Sequence, residues 1–141
     1  ISGTGAMDRS YRRLASFLHV EDRIRFVGHI SERQKLRYYR NALAVFFGPY
    51  NEDLGYVTLE AMLSAKPVIS CKDSGGPTEF IRHNETGYLC DAEPGVIAEA
   101  INELWRNQKR SREMGREGRE HYGKLNISWD NVVSTLTGAL S

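Results

Sequence analysis

The sequence predicts a parallel α/β fold, a Rossmann-like three-layer sandwich with helices on both faces of the sheet. Short apolar runs of strand length, at residues 43–47, 68–71 and 88–90, alternate with segments of helical apolar spacing. Strands that alternate with helices imply a parallel sheet covered on both sides. Glycine-containing turns stand where the strands end, at Gly3 and Gly5, Gly28, Gly55, and Gly75-Gly76. Ligands of such sheets gather at the carboxyl ends of the strands.

Residues 1–3 form the end of a strand, and Gly3-Thr4-Gly5 turns into a helix over about 7–18. A Gly-x-Gly turn is compatible with a dinucleotide fingerprint. Asp8 occupies the third glycine position, however, and no acidic residue closes the next strand to hold a ribose. A tight turn using glycine's positive φ accounts for either glycine equally well. Residues 23–27 alternate as a strand, which Gly28-His29-Ile30 leaves. Ser31-x-x-Gln34 is a capping box for a helix through Arg40, with Leu36, Tyr39 and Leu43 at apolar spacing. Arg33, Lys35, Arg37 and Arg40 lie elsewhere on it and read as a solvated face, with a border of an acceptor cleft as the alternative for some of them.

The apolar run 43–47 predicts a buried strand, broken by the turn residues Gly48-Pro49-Tyr50-Asn51. A helical pattern resumes at Tyr56 with Val57, Leu59, Met62 and Leu63, and Lys66-Pro67 ends it. A buried strand follows at 68–71, then a flexible loop over 72–76. Pro77, at the favoured first position, starts a short helix. A turn at 84–87 leads into the strand 88–90. The helix 94–106 carries Val96, Ile97, Ala100, Ile101 and Leu104 on its apolar side. Residues 109–124 alternate in charge around Gly115 and Gly118 and read as an exposed helix without a binding role. Ser128 caps a last helix containing Trp129, Val132, Val133 and Leu136.

At 141 residues the chain is one domain by size. Nineteen basic against eighteen acidic residues provide no field to attract nucleic acid. No apolar run approaches a membrane span, and none of these residues read as a signal peptide. Cys71 and Cys90 have no metal-ligand spacing and read as small apolar fillers in a reduced, cytoplasmic setting. The first residues read as the end of a strand that starts earlier, so the chain is expected to be a fragment of a longer protein.

The chemistry concentrates between Glu52 and Glu60, which bracket a loop and the first turns of a helix. The amides of Gly55, Tyr56 and Val57 would open that helix, and a helix N-terminus is an anion site suited to a diphosphate. Glu60 can accept hydrogen bonds from a diol such as a ribose. Glu52 can reach a hydroxyl of whatever the phosphate carries. Charge-assisted bonds of this kind are roughly twice as strong as neutral ones. For each feature alone a structural role competes: glutamates so spaced occur on surface helices, and Gly55 serves any tight turn.

Glu52-x7-Glu60, Ala61, Lys66-Pro67-Val68-Ile69, Gly75-Gly76-Pro77-Thr78-Glu79 and Gly87-Tyr88-Leu89 together resemble the retaining glycosyltransferases of family 4, the group 1 glycosyl transferases. The resemblance covers nearly the whole chain and points to their C-terminal, donor-binding domain. It implies the C-terminal half of a two-domain GT-B fold and retaining transfer of a hexosyl-type sugar from a nucleotide-diphosphate donor to an acceptor hydroxyl. Glu60 would hold the ribose hydroxyls, and Glu52, the expected catalytic residue, the donor sugar. Gly55, Tyr56, Val57 and Thr58 would serve phosphates or sugar through backbone amides. Gly3, Gly5, Gly28 and His29 would line the nucleotide cleft, and Gly75 and Gly76 would lie beside the donor.

The resemblance further implies no cofactor and no metal. Helix amides and basic side chains would instead stabilise the departing diphosphate. The acceptor, a glycan, lipid or small molecule, would bind a preceding N-terminal domain. The full-length protein would be cytoplasmic, at the membrane face where its acceptor requires, and would serve polysaccharide biosynthesis. The chain alone is expected to bind donor weakly and transfer little. The loop Pro49-Tyr50-Asn51-Glu52 is one residue shorter than the family's Pro-Ser-x-x-Glu, and Leu54 stands where an aromatic is usual. Two readings compete: a nucleotide-binding module without catalysis, and a nicotinamide-dependent oxidoreductase domain, the latter disfavoured by Asp8.

Overall fold

A computed structural model describes residues 1–127 together with Asn131 and Ser134. The expected last helix, with Ser128, Trp129, Val132, Val133 and Leu136, lies outside the described residues. The chain forms two compact units, Ile1–Tyr38 and Tyr39–Ser141.

The first unit contains α1 (Asp8–Phe17), a 3-10 turn (Glu21–Arg23) and most of α2 (Glu32–Asn41). The strand expected at 23–27 is a correction: the 3-10 turn takes its start, and the remainder is extended backbone. It runs parallel to residues 1–3, with Val27 N–H on the Ile1 carbonyl at 2.9 Å and Gly3 N–H on the Gly28 carbonyl at 2.8 Å. Only one bridge forms, Ser2 with Gly28. Gly3 and Gly28 both have positive φ, 105° and 65°, so each segment leaves extended geometry directly after the pair. Arg12 joins α1 to the extended segment: it is ion-paired to Asp8 at 2.8 Å, and its guanidinium lies 4.5 Å from the Phe26 ring centroid. The expected capping box is present. Ser31 N–H donates to Gln34 Oε1 at 2.9 Å, and Gln34 N–H to Ser31 Oγ at 3.3 Å.

The second unit is built on a parallel sheet of order β1-β2-β3, formed by β1 (Val45–Phe46), β2 (Val68–Cys71) and β3 (Gly87–Cys90). Between and after them lie α3 (Tyr56–Leu63), α4 (Pro77–Phe80), α5 (Pro94–Arg106) and α6 (Gln108–Lys124). Successive residues of a strand point to opposite faces. Accordingly Val68 packs with Tyr39, Ala61, Met62 and Ile81, whereas Ile69 packs with Tyr88, Cys90, Ala100, Leu104 and Met114. The sheet is therefore covered on both faces, as the sequence predicts.

Four expectations need adjustment here. β1 is an outer strand of this sheet and shorter than 43–47; Phe46 on it is half exposed rather than buried. α3 stops at Leu63 because Ala65 adopts a left-handed conformation, φ 52°, before the proline is reached. Of the expected apolar side of α5, Ala100 and Leu104 are buried but Val96 and Ile101 are exposed. The helix expected to be exposed at 109–124 is instead a packed one. Ser111, Met114, Gly115 and Gly118 of α6 are buried, and Ser111 Oγ donates to the Leu43 carbonyl at 2.9 Å. Gly115 lies so close to the Ala65 carbonyl that a Cβ would overlap it.

Candidate functional site

The loops that follow β1 and β2 continue the parallel pairing of those strands. Asn51 N–H donates to the Asp73 carbonyl at 3.0 Å, Glu52 N–H to the Ser74 carbonyl at 3.0 Å, and Gly76 N–H to the Glu52 carbonyl at 2.7 Å. Glu52 and Gly75 thereby form a parallel bridge beyond the strands. The loop 72–76, expected to be flexible, is tied from within. Ser74 is fully buried, its Oγ accepting from Cys71 N–H at 3.2 Å, and Thr78 Oγ1 donates to the Gly75 carbonyl at 2.7 Å. Hydroxyl side chains that bond nearby backbone are the usual way such turns are set.

The two glycines have a specific neighbour. A Cβ on Gly75, whose φ is 74°, would lie 2.5 Å from the Glu52 carbonyl oxygen, and one on Gly76 would overlap the Asp53 carbonyl. The close approach they permit is therefore that of the Glu52 loop itself. Glu52 remains exposed on top of this backbone frame.

Gly55 is the N-cap of α3, with φ 74° and ψ 60°. A Cβ there would stand 2.6 Å from Pro77 Cγ, so both conformation and space require glycine. The amides of Tyr56 and Val57 belong to the first turn, which has no intrahelical acceptors. Tyr56 is exposed and Val57 partly so. Thr58 is different: it is fully buried, and its amide already donates to the Gly55 carbonyl at 2.9 Å. Its Oγ1 has no hydrogen-bond partner among the described residues.

Glu60, one turn further along α3, is partly buried, and Tyr39 Oη donates to its Oε2 at 2.9 Å. Sequence reasoning placed Tyr39 only among the apolar positions of α2. The signal that it does more is the phenol oxygen, which a buried tyrosine must satisfy. In the first unit, Gly3 and Gly28 are held together by their own pairing; Gly5 has open space around it, and His29 is exposed. Two surface clefts of about 360 and 300 Å³ run along α6 and are lined mainly by its charged side chains, with none of the expected site residues. Among the described residues no cluster of His, Cys, Asp and Glu is gathered for a metal.

What remains is a glycine-capped helix N-terminus with a carboxylate in the loop before it and another in its second turn, on the carboxyl side of a parallel sheet. The family profile described as "Glycosyl transferases group 1" matches residues 1–121. This chain belongs to the group 1 glycosyl transferases. It is 38% identical over 96 residues to the alpha-1,3/1,6-mannosyltransferase ALG2 of Homo sapiens, covering 68% of the chain and 23% of that protein. To the D-inositol 3-phosphate glycosyltransferase of Corynebacterium glutamicum (strain R) it is 35% identical over 137 residues, 96% of the chain and 32% of that protein. The sucrose-phosphate synthase of Thermosynechococcus elongatus superposes with a TM-score of 0.83 at 30% identity, over 96% of this chain and 34% of that one. The chain thus spans about a quarter to a third of the curated relatives it matches. As a group 1 transferase it carries the α/β architecture of the C-terminal half of the GT-B fold.

Proposed function

We propose that this chain is the donor-binding part of a retaining glycosyltransferase, which passes a hexosyl-type sugar from a nucleotide diphosphate to an acceptor hydroxyl. The observation that carries the reading is the disposition of Glu52 and Glu60 on either side of the Gly55-capped start of α3. The α3 amides meet the diphosphate, where the helix dipole favours negative charge. Glu60 accepts from the ribose hydroxyls and Glu52 from the donor sugar. In the transfer, the bond from C1 to the diphosphate oxygen breaks as the acceptor oxygen bonds C1 on the same face. The acceptor proton passes to the departing phosphate oxygen. Helix amides and basic side chains stabilise the charge that develops, without a metal.

The mannosyltransferase relative supports hexosyl transfer, and the D-inositol 3-phosphate glycosyltransferase relative supports glycosyl transfer. The acceptor is a glycan, lipid or small molecule bound by a part of the enzyme outside this chain, and the cytoplasmic location belongs to the same proposal. Among the described residues no helix is long and apolar enough to cross a membrane.

Calorimetry with UDP-, GDP- and ADP-sugars, on the protein and on Glu60→Ala, tests the reading. Truncating a carboxylate that holds a ribose diol costs about 1–3 kcal/mol. Saturable binding of one nucleotide that weakens in Glu60→Ala supports the assignment. Binding indifferent to Glu60→Ala removes it.

A further inference from the structure

We propose that Tyr39 is the positioning residue for Glu60, holding its carboxylate in the orientation that receives the ribose hydroxyls. The inference rests on the donor-site reading above. Tyr39 is about nine-tenths buried, and its ring packs among Ala61, Met62, Val68 and Ile81. Its hydroxyl emerges from that cluster to donate to Glu60 Oε2 at 2.9 Å. One end of the side chain is thus fixed in the core, and the other grips the carboxylate.

The physical need for such an arm is clear. A glutamate has three rotatable side-chain bonds, and ordering them when ligand arrives weakens binding. A phenol on two stiff torsions, packed along its length, restricts the carboxylate beforehand. The bond does not exhaust Glu60. A carboxylate offers about four lone-pair positions, so accepting one phenol O–H is compatible with accepting a ribose hydroxyl as well. A hydroxyl from a ribose then meets an acceptor already aimed. Tyr39 itself touches no ligand in this scheme.

Tyr39→Phe keeps the ring and removes only the hydroxyl, so the core is preserved. Binding of UDP and GDP is measured by calorimetry beside their 2′,3′-dideoxy counterparts, with Glu60→Ala as the reference. The ribonucleotide that binds is expected to weaken by about three- to tenfold in Tyr39→Phe, while the dideoxy form, which has no diol to receive, changes little. Equal losses on both forms would mean that Tyr39 serves only packing, and an unchanged ribonucleotide affinity would mean that Glu60 needs no positioning; either overturns the proposal. If Glu60→Ala weakens ribonucleotide binding and Tyr39→Phe does not, only the positioning role fails. If Glu60→Ala also leaves it unchanged, the donor-site reading fails with it.

Discussion

The carbonyl of Glu52 accepts the Gly76 amide at 2.7 Å, and a Cβ on the intervening bridge partner Gly75 would lie 2.5 Å from that same carbonyl oxygen. Gly75→Ala therefore meets two obstacles, the left-handed backbone and the Glu52 backbone. Left-handed geometry alone costs an ordinary residue roughly 1–2 kcal/mol, and the overlap adds to it. Denaturant unfolding is expected to report a loss above about 2 kcal/mol, with weaker nucleotide binding as the Glu52 loop is pushed away. Gly95→Ala is the control, because nothing lies within 4 Å of a Cβ there. A Gly75→Ala protein as stable as the parent would refute this view of the loop pair.

Gly115 and Gly123 lie on the same helix and should respond with opposite signs. Alanine raises intrinsic helix stability by about 1 kcal/mol over glycine. At Gly123 a Cβ meets open space, so the gain should appear. At Gly115 the Cβ overlaps the Ala65 carbonyl, and overpacking of this kind costs roughly 1–3 kcal/mol. Thermal melts of the two alanine variants test the crossing of α6 over the end of α3, and a rise in both would show that the crossing is loose.

Tyr88 should resist ionisation. Burial, followed by a side-chain hydrogen bond to Glu103 and that carboxylate's charge, pushes its pKa up to about 12. In the unfolded chain a tyrosine ionises near 10. The unfolded state therefore loses its proton first, and the contribution to stability is intact below about pH 10 and declines as pH climbs toward 12. Ultraviolet titration of the phenolates should show a late-ionising component that shrinks by one tyrosine in Tyr88→Phe. Complete ionisation of the folded protein's tyrosines near pH 10 would contradict this.

Cys71 and Cys90 stand opposite one another in the β2–β3 register, both buried. Burial raises both thiols, helped at Cys71 by Asp73 and at Cys90 by Cys71 and Asp91. Little thiolate is available, and the thiolate is the reactive form. A thiol reagent at neutral pH should label the native protein slowly and label both residues on unfolding. Rapid labelling before unfolding would show that this face of the sheet opens.

Periodicity made most of the second unit legible. Val68–Cys71, Pro77, the turn before β3, and α5 all announce themselves by apolar runs and proline or glycine punctuation. The Glu52 and Glu60 pair was legible through its spacing and neighbours. Less visible was whatever depends on contacts between distant segments. The charges of α6 concealed a packing stripe, because three of its four buried residues, Ser111, Gly115 and Gly118, carry little hydrophobic signal and only Met114 carries one. The loop 72–76 looked mobile since, beside the local Ser74 and Thr78 bonds, its restraints are backbone bonds to residues more than twenty positions earlier. Tyr39 was readable as core, but its partner on α3 could not be inferred from spacing along α2.

The shared ladder of the Glu52 and Gly75 loops has a consequence for exchanging specificity between relatives. A transplant of residues 50–55 alone would import a backbone whose shape was complementary to another protein's second loop. The two segments, 50–55 and 72–77, are one inheritable module split by a helix and a strand. Chimeras that move both together should fold and carry their donor preference with them, whereas single-loop chimeras should lose stability before any preference can be read.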